Sequence, residues 1–193
     1  MSETPIKVAI IIGSTRAGRF APTVATWFAG YVEDRADIDL DVVDLADVRL
    51  PERLGSFDQA PAPEVMAVSS RLAAADAFVI VTPEYNHSFP AALKTAIDWH
   101  YDEWQAKPIA FVSYGGQAGG LRAVEHLRQV FAELHAVTIR DTVSFHSAHE
   151  QFGADGTPVD AANCGAAANT LVDRLAWWGL SLREARAKRP FKV

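Results

Sequence analysis

The chain predicts a three-layer α/β/α domain, a doubly wound five-stranded parallel sheet between two layers of helices. Two observations carry this. Runs such as Ile10-Ile11-Ile12 and Phe78-Val79-Ile80-Val81 are apolar without alternation, as in strands buried on both faces. Strand-like and helix-like segments then alternate along the whole chain, the pattern of repeated βαβ units.

Lys7 to Ile12 is the first strand, ended by the turn Gly13-Ser14-Thr15-Arg16-Ala17-Gly18-Arg19. Pro22 to Arg35 places Val24, Trp27, Phe28, Tyr31 and Val32 at helical spacing. Ile38 to Leu45 alternates as the second strand. Residues 51 to 63, with Pro51, Gly55, Pro61 and Pro63, form a surface loop within the domain. Pro63 opens a helix over Glu64 to Ala75, and Ala77 to Val81 is the third strand. Ala91 to His100 is a helix opened by Pro90. Pro108 to Ser113, Leu121 to Leu134 and Val137 to Val143 complete the strand, helix and strand series. Ala161 to about Ala187 closes the chain as one long helix. Right-handed crossovers make this a flavodoxin-like fold. The 193 residues are expected to form one domain, 1–193.

Composition excludes several functions. The net charge of −6 argues against non-specific nucleic-acid binding, which needs a basic face. No apolar run approaches the roughly 18 residues of a membrane span, and the polar first residues predict no signal peptide. Cys164 is the only cysteine, so an internal disulfide and a cysteine-built metal site are excluded. A lone thiol fits the reducing cytoplasm.

Three loops fall beyond the carboxyl ends of the strands, where such sheets bind ligands. The first, Gly13 to Arg19, combines free N–H groups at a helix start with two hydroxyls and two arginines, a pattern suited to a terminal phosphate. It is not a Walker A loop, because Arg19 and Phe20 stand where lysine and a hydroxyl are needed. Nor is it a dinucleotide loop, because Thr15 replaces the second glycine. The second loop, Thr82 to Pro90, sets Glu84, Tyr85 and Asn86 between two prolines and suits a flat heteroaromatic edge. The third runs from Ser113 to Gly120 with glycine at 115, 116, 119 and 120, letting main chain approach a planar ring. A monophosphate site, an aromatic-edge loop and a glycine shelf together describe FMN.

These motifs closely resemble those of the NADPH-dependent FMN reductase family of flavodoxin-like oxidoreductases, which includes quinone, azo-dye and chromate reductases. The matching segments are Gly13 to Gly18, Pro83 to Asn86, Tyr114 to Gly120 and the helix Leu93-Lys94-Thr95-Ala96-Ile97-Asp98-Trp99. Similarity runs from about Val8 to Leu134. The resemblance implies that Ser14 and Arg16 hold the phosphate and that Pro83, Glu84, Tyr85 and Asn86 line the flavin ring. Ser113, Gly115 and Gly116 face the ring from the next strand end. Gly13, Thr15, Phe20, Tyr114 and Gly119 complete the expected cofactor contacts. Many members carry serine and a short polar residue after the loop glycine, where this chain has Arg19, Phe20 and Ala21. Arg19 either adds a second phosphate contact or points to solvent, and a phosphate dianion favours the contact.

The implied activity is transfer of hydride from NADPH, or NADH, through bound FMN to a small acceptor in a ping-pong cycle. Quinone, flavin, azo dye and metal oxyanion all qualify as acceptors. No catalytic acid or base is required, and none is assigned. The family also implies a homodimer or homotetramer with the Lys94–Asp98 helix near the interface. His146 and His149 lack a third partner at metal-site spacing, so no metal is expected. Residues 50 to 63 and Ser144 to Pro158 are candidate pocket walls. The rival reading is a non-enzymatic flavodoxin-type electron carrier, disfavoured by Arg16, Arg19 and the modest net charge. A receiver domain is set aside because Gly13-Ser14 and Thr82-Pro83 occupy its acidic positions.

Overall fold

The computed structural model describes residues 4–56 and 60–192. Five parallel strands, β1 (Ile6–Ile12), β2 (Ile38–Asp44), β3 (Ala77–Pro83), β4 (Pro108–Tyr114) and β5 (Val137–Phe145), form one sheet in the order β2-β1-β3-β4-β5. The five longer helices are α1 (Ala21–Glu33), α2 (Pro63–Ala74), α3 (Ala91–Asp98), α4 (Leu121–Glu133) and α5 (Ala161–Lys188). Observed bounds fall within two or three residues of the expected ones. Of the predicted loop at 51 to 63, residues 57–59 lie outside the described residues.

The period of two along each buried strand sorts the core into two layers. Ile10, Ile12, Val79, Val81, Ala110 and Val112 pack with α1 and α5 residues such as Phe28, Leu171 and Leu175. Their neighbours Ile11, Phe78, Ile80 and Phe111 point the other way, against Leu72, Leu93, Leu127 and Phe131 of α2, α3 and α4. Every residue of β3 and β4 is buried, which is why those segments read as unbroken apolar runs. The edge strand β2 is only partly covered and alternates accordingly.

Two features give the carboxyl edge its shape. Strand order reverses between β1 and β3, so the loops after those strands diverge to opposite faces and leave a crevice. At the far edge, register slips between Ile109 and Phe111, which face Thr138 and Thr142 respectively. The carbonyls of Ile139 and Arg140 in that bulge accept hydrogen bonds from Arg128 of α4, at 2.7 and 3.2 Å. The slip leaves β5 running on to Phe145, beside Tyr114 at the end of β4. It thereby delivers the turn at 146–150 to the crevice.

Candidate active site

Four loops meet at the carboxyl edge around a cavity of about 590 Å³. Its walls come from Arg16 to Phe20, from Pro83 to Tyr85, from Tyr114 to Gly116, and from Ser147 to Glu150. A second space of about 590 Å³ lies beyond, sharing Arg16, Glu84 and Tyr85 and adding Asn86 and the start of α3. Leu50 and Glu52, within one of the expected walls, bound a further space with Thr15 and Ala91.

The first loop leaves the sheet with the Gly13 N–H on the carbonyl of Val81 at 2.9 Å. From Ser14 to Gly18 the backbone N–H groups have no hydrogen-bond acceptor among the described residues. The Arg16 side chain is exposed, borders both spaces and has no ionic partner among the described residues. Consecutive free N–H groups beside an unpaired guanidinium form an anion-binding concavity. Ser14 is fully buried, and its hydroxyl lies 2.7 Å from that of Tyr85. That contact clamps the first loop to the second.

Arg19 does not point to solvent; it borders the cavity with its guanidinium drawn toward β2. Its terminal nitrogens fork onto the Asp44 carboxylate at 2.5 and 2.6 Å, and one also donates to the Ser14 carbonyl at 2.7 Å. The Asp44 hydrogen bonds raise its pKa, while partial burial opposes them. The Asp44 pairing arises because the end of β2 brings a carboxylate within bidentate reach of a guanidinium that still borders the cavity.

The second loop is a tight reversal. Tyr85 and Ser88 exchange backbone hydrogen bonds at 2.8 and 3.1 Å, with Asn86 and His87 between them at φ 49° and 75°. Both central residues are left-handed, as a type I′ turn requires. The Glu84 carboxylate accepts from the Arg122 backbone N–H at 3.2 Å and pairs with the Arg122 guanidinium at 3.2 Å. It thus caps the first turn of α4 while its residue still borders the cavity.

In the third loop, Gly115 and Gly116 line the cavity, and among the described residues nothing beyond its chain neighbours stands within 4 Å of where a Gly116 side chain would project. Ser113 and Gly119 are buried and do not line this cavity. The Ser113 hydroxyl donates to the Gly119 carbonyl at 2.8 Å, and Ser144 donates to the same carbonyl at 2.6 Å. Both residues underpin the loop from inside. Tyr114 is 5 % exposed, and its hydroxyl has no hydrogen-bond partner among the described residues. Burial and neighbouring Tyr85 push its pKa up, with Ser14 and Arg19 opposing, so it remains a protonated donor.

The turn at 147–150 falls within the expected wall from Ser144 to Pro158, but no local motif marks its individual residues. Ser147 and Ala148 N–H groups bond the carbonyls of Gly116 and Gly115 at 2.8 and 2.9 Å. His149 sets its ring edge against Phe20, with centroids 4.7 Å apart. Asp44 is likewise missing from the sequence expectations, since an isolated carboxylate at a strand end carries no motif.

FMN needs a dianion site, a polar path for its chain and a shelf for a flat ring. The free N–H groups and Arg16 meet the first need. The partnerless Tyr114 hydroxyl suits the second, and Gly115 and Gly116, which line the cavity together with Pro83 and Tyr85, suit the third. The residues fit the cofactor.

The sequence profile of the NADPH-dependent FMN reductase family matches residues 6–150, from β1 through this fourth wall. The chain belongs to that family. It is 39 % identical over 125 residues to an NAD(P)H-dependent FMN reductase of Schizosaccharomyces pombe, covering 59 % of this chain and 60 % of that protein. It is 35 % identical over 168 residues to a probable NADPH:quinone oxidoreductase of Oryza sativa, covering 81 % and 83 %. The fold is shared with FerB, a flavoenzyme NAD(P)H:(acceptor) oxidoreductase from Paracoccus denitrificans. The TM-score there is 0.73 and the identity 23 %, over 91 % of this chain and 98 % of FerB. As a member of this family the chain is an FMN-dependent, NAD(P)H-linked oxidoreductase.

Proposed function

We propose that the protein passes hydride from NADPH through FMN to a small acceptor, a quinone foremost, in a ping-pong cycle. The observation carrying this reading is the four-loop cavity with an unpaired arginine and free N–H groups at one end. When bound, FMN supplies the redox chemistry, taking hydride from a nicotinamide and returning it to an acceptor. Arg16 and the N–H groups of residues 14 to 18 anchor the phosphate. Tyr114 donates a hydrogen bond within the cavity. Gly115 and Gly116 let main chain lie against the ring, where the Gly116 N–H, without an internal acceptor among the described residues, favours negative charge.

The quinone reductases among the relatives support the acceptor class. In a ping-pong order nicotinamide and acceptor would use one face of the ring in turn. A homodimer with α3 near the interface belongs to the same reading; light scattering at the monomer mass would overturn it. The single thiol fits a reducing cytoplasm.

The test is a visible spectrum of FMN-reconstituted protein before and after anaerobic NADPH. Bleaching that recovers on adding a quinone supports the proposed cycle. Bound flavin that resists NADPH favours an electron carrier, and absence of flavin binding rejects the cofactor reading.

A further inference from the structure

Asp44 belongs to no phosphate motif, yet it holds the loop that would grip one. It ends β2 directly beside β1, with Ile12 as its register partner. Its Oδ1 accepts from the Ala46 N–H at 3.0 Å, and the Leu45 N–H bonds the Ile12 carbonyl at 3.2 Å. The carboxylate is therefore fixed to the sheet before it meets Arg19. Arg19 spans from that carboxylate to the Ser14 carbonyl, at the head of the run of free N–H groups. The pair is largely shielded, with 16 % of each side chain exposed. A bidentate guanidinium–carboxylate pair fixes direction as well as distance. Asp47 adds a second negative charge near Arg19.

We infer that Asp44 and Arg19 act together as a positioning brace for the phosphate loop, turning the Ser14 carbonyl aside so that the N–H groups of residues 14 to 18 face the cavity. Arg16 alone supplies the phosphate's counter-charge. Asp44 touches no cofactor in this scheme and acts wholly through Arg19. The inference rests on the FMN reading, because the brace matters only if that loop receives a phosphate.

The brace and a direct Arg19–phosphate contact predict opposite effects of removing the Asp44 charge. If Arg19 served the phosphate directly, Asp44→Asn would free it and leave FMN binding equal or tighter. A brace predicts weaker binding, because the loop loses its tether. Dissociation constants for FMN and for riboflavin, which lacks the phosphate, would be measured by quenching of flavin fluorescence. The proteins are wild type, Asp44→Asn, Arg19→Met and the double variant, with melting temperatures of the flavin-free forms alongside.

The expected result is FMN binding weakened roughly ten- to hundredfold in either single variant. The double variant should be no weaker than the weaker single, the mark of residues acting as one unit. Riboflavin binding should change by less than about threefold, which general damage to the fold would not spare. Unchanged or tighter FMN binding in Asp44→Asn overturns the brace. So does equal weakening toward FMN and riboflavin. Should Asp44→Asn be unfolded at the assay temperature, Asp44→Glu keeps the charge but shifts its reach. Selective weakening toward FMN there supports the brace, and wild-type affinity overturns it. Wild type that binds no FMN rejects the cofactor reading itself, an outcome separate from variants that fail to discriminate.

Discussion

At the scale of single residues, the arginines of the first loop divide their work. Arg16→Ala removes the only unpaired guanidinium on the cavity wall among the described residues. It should weaken FMN binding by about 1.5–3 kcal/mol, the scale of a charge-assisted hydrogen bond. Flavin titration checks this, and an unchanged dissociation constant would remove Arg16 from the phosphate site. Tyr114→Phe should separate stability from binding. A buried hydroxyl without a partner costs about 1–3 kcal/mol, so the flavin-free variant should be as stable as wild type or more so. Its FMN affinity should fall by about 0.5–1.5 kcal/mol if the hydroxyl donates to the cofactor. Urea melts and flavin titration on the same samples read the two signs.

Lys107 makes a prediction about pH. It is 6 % exposed, and its ammonium donates to the Leu72 and Ala73 carbonyls at 2.9 and 3.0 Å. Both carbonyls belong to the last turn of α2, where intrahelical donors run out; that of Leu72 also accepts from the Ala75 N–H at 3.2 Å. Burial above all, together with the charge of Arg186, lowers its pKa from 10.5 to about 8 against the opposing pull of Asp76 and Glu103. Between about pH 8 and 10.5 the unfolded chain binds the more protons at this residue, so its contribution to stability rises with pH across that window. Wild type should therefore gain about 2 kcal/mol from pH 7.5 to 9.5 relative to Lys107→Met, because each tenfold change in proton affinity is worth about 1.36 kcal/mol. Urea unfolding of both proteins at the two pH values measures the difference. Cys164, whose pKa burial and Asp160 raise, is common to both and cancels.

At the scale of elements, the helix starts carry the loops. α1 begins after Phe20 without a side-chain cap, which leaves its N-terminus for the cavity. α4 begins after Gly120, at φ 84°, and borrows the Glu84 carboxylate from the neighbouring loop. A Cβ at Gly120 would lie 2.7 Å from that of Ser113 and 3.0 Å from the Tyr114 backbone nitrogen. Gly120→Ala should thus destabilise by about 2–4 kcal/mol, combining left-handed strain with overpacking. Its thermal melt should fall with that loss, and a variant within about 0.5 kcal/mol of wild type, the usual size of a neutral surface change, would mean the loop relaxes freely.

At the scale of the whole molecule, ligand and fold are linked. A cofactor that binds only the native state adds about 2.7 kcal/mol at roughly one hundred times its dissociation constant. For a domain of this size that raises the melting midpoint by roughly 5–10 °C. FMN should produce this shift, with riboflavin producing less at equal concentration. No shift with FMN would mean that the cavity does not hold it.

The strands and helices are legible in the sequence because burial on one face or two leaves a period of its own. Ile10 and Ile11 point to opposite layers, yet both are apolar, and that alone marks a doubly covered strand. Three cavity loops are legible because turns, glycines and arginines cluster there within a few residues. What the sequence by itself determined was thus the sheet, the layers and three of the loops that wall the cavity. The partners of individual side chains were decided only in the tertiary structure. Asp44 lies 25 residues from Arg19 and meets it because β2 pairs with β1 in parallel. Ser113 and Gly119 turn inward because Ser144 arrives from β5, and residues 147 to 150 wall the cavity because β5 lies against β4. Local pattern records which face of an element is buried, whereas pairing between distant charges depends on strand order and register, which no short stretch of chain contains.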